Sequence, residues 1–242
     1  MSGPVNQILP APVDGWWRRL LLRLSHPRCL VCREAGDDGR ELCTRCAATL
    51  PWLRAACLRC ALPLPGAEAT CGHCLRRPPV LAETHAAFLY GTPVDRLLPR
   101  LKFHRDLAAG HLLAGCMAEA FAGLPRPDAL IAVPLHPARL RRRGYDQALE
   151  LARPLAHTLG IPLLQGALVR ARATTAQSRL DAAQRKRNLR GAFLATARTP
   201  LPAHLALVDD VMTTGATLQA AATALRRAGV ARVDAWVCAR VP

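Results

Sequence analysis

Four Cys-x-x-Cys pairs, Cys29/Cys32, Cys43/Cys46, Cys57/Cys60 and Cys71/Cys74, follow one another in the first third of the chain, each beginning 14 residues after the one before. A Cys-x-x-Cys turn lets two thiolates reach one ion, and two such turns complete a tetrahedral site. Eight sulfurs therefore suit two zinc ions. The competing reading is a disulfide framework, which belongs to small exported proteins. Nothing before the cysteines directs export: Trp16, Trp17, Arg18 and Arg19 lead into Leu20 to Leu22, and Arg23 interrupts before a signal core can form. A cytoplasmic protein is expected. Spacing leaves open which pairs share a metal. Consecutive sharing is preferred, because the short linker Ala47 to Ala56, with Pro51 and Trp52, can pack one ribbon on the next. Four thiolates per ion leave no place for water or substrate, so both sites are expected to be structural. The ions would supply the folding free energy that a short segment poor in large apolar side chains lacks.

The cysteines divide the 242 residues into three parts. Residues 1–28 read as a short amphipathic helix with Trp16, Trp17, Leu20, Leu21 and Leu24 on one face. Residues 29–78 carry the ribbons, and Pro78 and Pro79 mark a boundary. In residues 79–242 apolar strands alternate with helical patterns, the mark of an α/β domain with a mainly parallel sheet flanked by helices. Strands are expected at Ala86 to Tyr90, Ala129 to Val133, Ala167 to Arg170 and Leu205 to Val208, with Val230 to Val241 closing the sheet. Helices are expected at Val94 to Phe103, Leu107 to Phe121, Asp146 to Thr158 and Ala216 to Ala228. Cys116 and Cys238 fall inside this pattern, where a buried, inert thiol is expected. No apolar run approaches the roughly 18 residues that a membrane span needs.

The formal charge of +16 suggests a polyanion partner such as single-stranded DNA. Only Lys102 and Lys186 are lysines, however, so the excess is almost all arginine in a chain rich in alanine, leucine and proline. Ten aromatic residues in the whole chain give no evident series on which successive bases would stack.

The most informative segment is His204-Leu-Ala-Leu-Val-Asp-Asp-Val-Met-Thr-Thr-Gly-Ala-Thr217. It reads as a buried strand, an acidic pair, a loop and a helix start. The strand would deliver Asp209 and Asp210 to the carboxyl end of the sheet, where open α/β folds place their ligands. Thr213, Thr214 and Thr217 offer hydroxyls, Gly215 permits a close or left-handed backbone, and the helix beginning at Ala216 presents free N–H groups and a positive dipole end. An ordinary N-capped helix needs one such residue, not this set. An anion cradle beside two carboxylates suits a ribose 5-phosphate. Neither the Walker pattern nor G-x-G-x-x-G is present.

Val208 to Thr217 resembles the phosphoribosyl diphosphate signature of type I phosphoribosyltransferases, and residues 29 to 241 resemble the ComF family, also called competence protein F or GntX-like. Val133-Pro-Leu-His-Pro-Ala-Arg-Leu-Arg-Arg-Arg-Gly-Tyr-Asp-Gln147 is similar to that family's loop after the second core strand. Gln177, Arg185, Asn188 and Phe193 fall in a stretch similar to its flexible loop, and the cysteines resemble its double zinc ribbon. The resemblance implies a type I phosphoribosyltransferase fold in which Asp209 and Asp210 bind ribose hydroxyls and Thr213, Thr214, Gly215, Ala216 and Thr217 bind the 5-phosphate. Arg139 and Arg143, in the loop Pro134 to Gly144, would meet pyrophosphate, with Lys102 adding charge and Mg2+ bridging pyrophosphate and ribose. It further implies a transferase of unknown acceptor, a binder of a nucleotide-like molecule without turnover, or a competence factor that meets single-stranded DNA.

Overall fold

The computed structural model describes residues 27–66, 69–172, 191–196 and 200–242. The expected amphipathic helix, save its last two residues, and the loop residues Gln177, Arg185 and Asn188 lie outside them. The described residues form two compact units, one ending at Thr49 and one running from Leu50 to Pro242. The division falls between the two ribbons rather than after both, at the boundary expected near Pro78.

The first unit holds Cys29, Cys32, Cys43 and Cys46 and helix α1 (Thr44–Ala48). Asp37 accepts the Thr44 backbone N–H at 2.5 Å and the Thr44 hydroxyl at 2.6 Å, which sets the turn before the helix. The second unit begins with the other ribbon and helix α2 (Gly72–Arg76). That ribbon is tied into the α/β body by hydrogen bonds of high sequence separation. Arg59 donates to the Ala82 carbonyl at 2.7 Å, the Thr84 N–H to the Leu58 carbonyl at 2.7 Å, and Arg240 Nε to the Cys60 carbonyl at 2.9 Å.

The body follows the chain order β1 (Thr84–Leu89), α3 (Val94–His104), α4 (Leu107–Phe121), β2 (Ala129–Ala132), α5 (Pro137–Arg143), α6 (Gln147–Leu159), β3 (Leu168–Arg170), β4 (Phe193–Ala195), β5 (His204–Met212), α7 (Ala216–Arg227) and β6 (Arg232–Arg240). Four strands form one parallel sheet in the order β1-β6-β5-β2, and β3 pairs antiparallel with β4. This is the α/β architecture expected from the sequence. Period-two alternation covers both faces of the sheet. Ala129, Ile131, Leu205, Leu207, Val233 and Ala235 pack with Leu218, Ala221 and Leu225 of α7. On the other face Trp236 meets Phe121 of α4, ring centroids 5.2 Å apart. Cys116 and Cys238 are buried in the body, and burial pushes the Cys238 thiol well up, as an inert core thiol requires. At the amino end of the sheet the buried Asp234 accepts from His204 Nε2 at 2.7 Å and from Arg232, which also pairs with Glu83 at 2.8 Å. Among the described residues no helix is long and apolar enough to cross a membrane.

Candidate functional site

Strand β5 does not stop at Val208. Its neighbour β6 continues to Arg240 and supplies ladder partners for Asp209, Val211 and Met212, so the two acids lie inside the strand near its carboxyl end. The chain then turns through the exposed Thr213 and Thr214 to Gly215, whose φ of +72° is the left-handed conformation expected of it. A Cβ at Gly215 would stand 2.5 Å from Met212 Cε. Gly215 is the N-cap of α7 and has no side chain with which to cap the first-turn N–H groups at the positive end of the helix. Thr214 Oγ1 approaches the Ala216 N–H at a long 3.5 Å. Asp209, Thr213, Thr214, Gly215, Ala216 and Thr217 line a single recess with their strand neighbours.

The two carboxylates have different surroundings. Asp209 lines the recess, and its Oδ1 accepts the Asp210 N–H at 2.9 Å. Burial first, then the charge of Asp210, pushes its carboxyl well above the usual carboxylate range. Asp210 is only 6% exposed. Its Oδ1 accepts the Val211 N–H at 2.8 Å, and its Oδ2 lies 2.7 Å from the ammonium of Lys102, on α3. Lys102, assigned by resemblance to pyrophosphate, therefore rests on a carboxylate assigned to ribose.

The segment Pro134 to Gly144, read as a loop, contains helix α5. Pro137 suits its first turn, His136 Nδ1 accepts the Ala138 N–H at 3.2 Å, and Gly144 ends it at φ +88°. No residue of α5 is buried, so its arginines are held by their own contacts. Arg143 lies over the Phe103 ring, 5.6 Å from its centroid, and donates to Gln147 Oε1. Arg139 is half-buried, and burial followed by the charges of Arg143 and Arg142 lowers its pKa. Asp146 caps α6 through the Ala148 N–H at 3.0 Å and ties down the start of the segment by accepting the Leu135 N–H at 2.9 Å.

One residue missed by the sequence reading stands out. Arg170, which closes β3, is 7% exposed and lies over the Phe193 ring at 5.4 Å. Burial lowers its pKa, the Arg139 charge lowers it further, and the Asp209 charge opposes the change. Arg170 thus feels the charges of both Arg139 and Asp209. A single arginine after an apolar strand reads as a solvated terminus; only the β3–β4 pairing buries it.

The eight thiols form two sets, Cys29/Cys32/Cys43/Cys46 and Cys57/Cys60/Cys71/Cys74, and within each set the sulfurs lie within 4.8 Å of one another. Consecutive pairs share a site. A tetrahedron with Zn–S bonds of about 2.3 Å has S···S edges of about 3.8 Å. Cys32 and Cys43 are 3.7 Å apart and Cys60 and Cys71 3.8 Å apart, so the sets fit two zinc ions. Burial pushes the Cys57 thiol up, but backbone N–H donors of Cys71 and Arg59 outweigh it and bring it down to about 7. Cys74 is pushed up by burial and by its neighbouring sulfurs, the repulsion that a dication relieves.

The sequence matches the double zinc ribbon domain over residues 21–75. The chain is 36% identical over 248 residues to the DNA utilization protein YhgH of Salmonella typhi, covering 96% of this chain and 99% of that protein. It is 35% identical over 243 residues to the protein of that name from Escherichia coli K12, with the same coverage. Competence protein F of Haemophilus influenzae is 40% identical over 159 residues, 62% of this chain and 69% of its own length. With a relative above one-third identity aligned nearly end to end and the ribbon cysteines gathered into two four-sulfur sites, the chain belongs to the ComF family of competence and DNA utilization proteins.

Proposed function

We propose that the turn from β5 to α7 binds the ribose 5-phosphate part of phosphoribosyl diphosphate, and that the protein transfers or holds that group. One observation carries the reading: Asp209, three threonines and Gly215 line one recess at the start of a helix capped by a residue with no side chain. Phosphate suits the N–H groups of a helix start and the threonine hydroxyls, and the ribose diol suits the carboxylate beside them. Asp209, whose pKa is raised by burial and by the charge of Asp210, gains as a carboxylate from hydroxyl donors and from a nearby cation. Mg2+ prefers few protein ligands and substrate phosphates; Asp209 is the carboxylate of the recess that could hold it, and the ion would supply charge that neutralises pyrophosphate.

In a transfer, the bond between ribose C1 and the pyrophosphate oxygen breaks with its electron pair leaving on oxygen, and a nucleophile bonds to C1. The protein's share is to position the sugar and neutralise the leaving charge, tasks that suit Arg139 and the buried Arg170, whose pKa feels the charges of both Arg139 and Asp209. Asp210→Asn is expected to weaken phosphoribosyl diphosphate binding by about 1–3 kcal/mol, the loss of a charge-assisted hydrogen bond, with the fold intact. An unchanged dissociation constant by calorimetry overturns the assignment. Isotope exchange between pyrophosphate and phosphoribosyl diphosphate, screened over candidate bases, separates turnover from binding alone.

A second reading is a role in DNA utilization, favoured by the names of the relatives. Helix α5 adds an exposed basic surface without an acid. Single-strand binding that weakens steeply with salt supports this role, and its absence removes it.

A further inference from the structure

The ion pair between Lys102 and Asp210 occupies the carboxylate next in sequence to Asp209, which lines the recess. Asp210 is nearly closed to solvent, with Oδ1 taken by the Val211 N–H and the ammonium 2.7 Å from Oδ2. The Lys102 side chain is 26% exposed against 8% for Asp210, so the pair reaches solvent on the lysine side. A ribose hydroxyl cannot reach Oδ2 while the ammonium fills that side. Lysine is also a rare choice here: two of the 33 basic residues are lysine, and one of them stands at this carboxylate. An ammonium is a compact charge on a flexible stem, able to swing between partners, whereas arginine would lock onto a carboxylate in a fork.

We infer that Lys102 is a specificity-determining latch: it holds Asp210 until a ligand brings an anion to which the ammonium can move, so that the pocket selects ribose carrying a 1-pyrophosphate over ribose 5-phosphate. The inference rests on the phosphoribosyl reading above. Ribose 5-phosphate must break the ion pair and offers the released ammonium no partner at C1. Phosphoribosyl diphosphate breaks the same pair and supplies a pyrophosphate, an exchange of one charge-assisted contact for another. The selection is a difference between two affinities, set by the cost of displacing the lysine.

The latch makes a prediction of opposite sign for the two ligands. In the full-length protein, Lys102→Met is expected to tighten ribose 5-phosphate binding by roughly tenfold, about the value of one charge-assisted contact no longer broken. The same change is expected to weaken binding of phosphoribosyl diphosphate with Mg2+, so the ratio of the two affinities falls. Lys102→Gln serves as a second variant should the first fail to fold, with the same expected directions. Titration calorimetry of wild type and variant with each ligand reads both affinities. Weaker or unchanged ribose 5-phosphate binding in the folded variant, with wild type binding both ligands, overturns the latch and leaves the phosphoribosyl reading standing. Wild-type protein that binds neither ligand overturns both.

Discussion

Asp209 and Asp210 are neighbours of one residue type in one strand, yet the fold gives them different electrostatic lives. Asp210 meets an ammonium; Asp209 meets burial and the charge of Asp210. The raised pKa of Asp209 fixes a sign. A carboxyl whose folded pKa exceeds its unfolded value stabilises the protein below the unfolded pKa, and that contribution is lost as pH rises through the folded one. Ionising Asp209 as pH rises through its folded pKa therefore costs stability. Asp209→Asn is expected to raise stability at pH 8, the direction set by the raised pKa of Asp209. The gain should vanish toward pH 3, where the native carboxyl is protonated in both states, while ligand affinity falls. Thermal melts of both proteins at the two pH values decide it; an equal gain at both points to packing, not charge. Arg170 shows the converse, a charge that the sheet edge buries beside another arginine.

At the scale of elements, the connection from β5 to α7 is the feature most legible in the sequence. Buried strand, acids, threonines, glycine and helix occur there in the order read. What local reading missed was length: β5 runs on through the acids because β6 pairs with it as far as Met212, a partner 28 residues away in sequence. The helix in Pro137–Arg143 was missed for a related reason, since its ends are set by His136 and Gly144 while none of its residues is buried to give an apolar period. Gly215→Ala tests the turn. A left-handed alanine is strained by about 1–2 kcal/mol, and its methyl would press on Met212 Cε. The variant is expected to lose that stability in denaturant titration and to bind phosphate-bearing ligands more weakly. Undiminished binding would show that the turn does not hold the phosphate.

For the whole molecule, the main finding is that the two ribbons are not equivalent. The ribbon of Cys57 to Cys74 shares a compact unit with the α/β body through Arg59, Thr84 and Arg240, whereas the residues up to Thr49 form a unit of their own. Metal in the second ribbon therefore supports the edge of the sheet. Chelation is expected to speed hydrogen exchange in β1 and β6 as well as in the ribbons, and Cys60→Ser should do so in β1 and β6 while leaving residues 27–49 unchanged. Unaltered exchange in β1 and β6 after zinc loss would show that the body stands without its ribbon.

The sequence alone determined the parts that depend on local spacing: which sulfurs could share a turn, which stretches could be strand or helix, and where threonines and a glycine follow two acids. Those signals are covalent neighbours or short periods, and they survive without a fold. Tertiary structure alone decided that consecutive cysteine pairs share a site, that the second ribbon joins the body, that Arg170 is buried and that Lys102 rests on Asp210. The last three join residues far apart in the chain, where burial and packing set the partner and no spacing rule reaches; the cysteine sets join neighbouring turns whose sharing spacing left open.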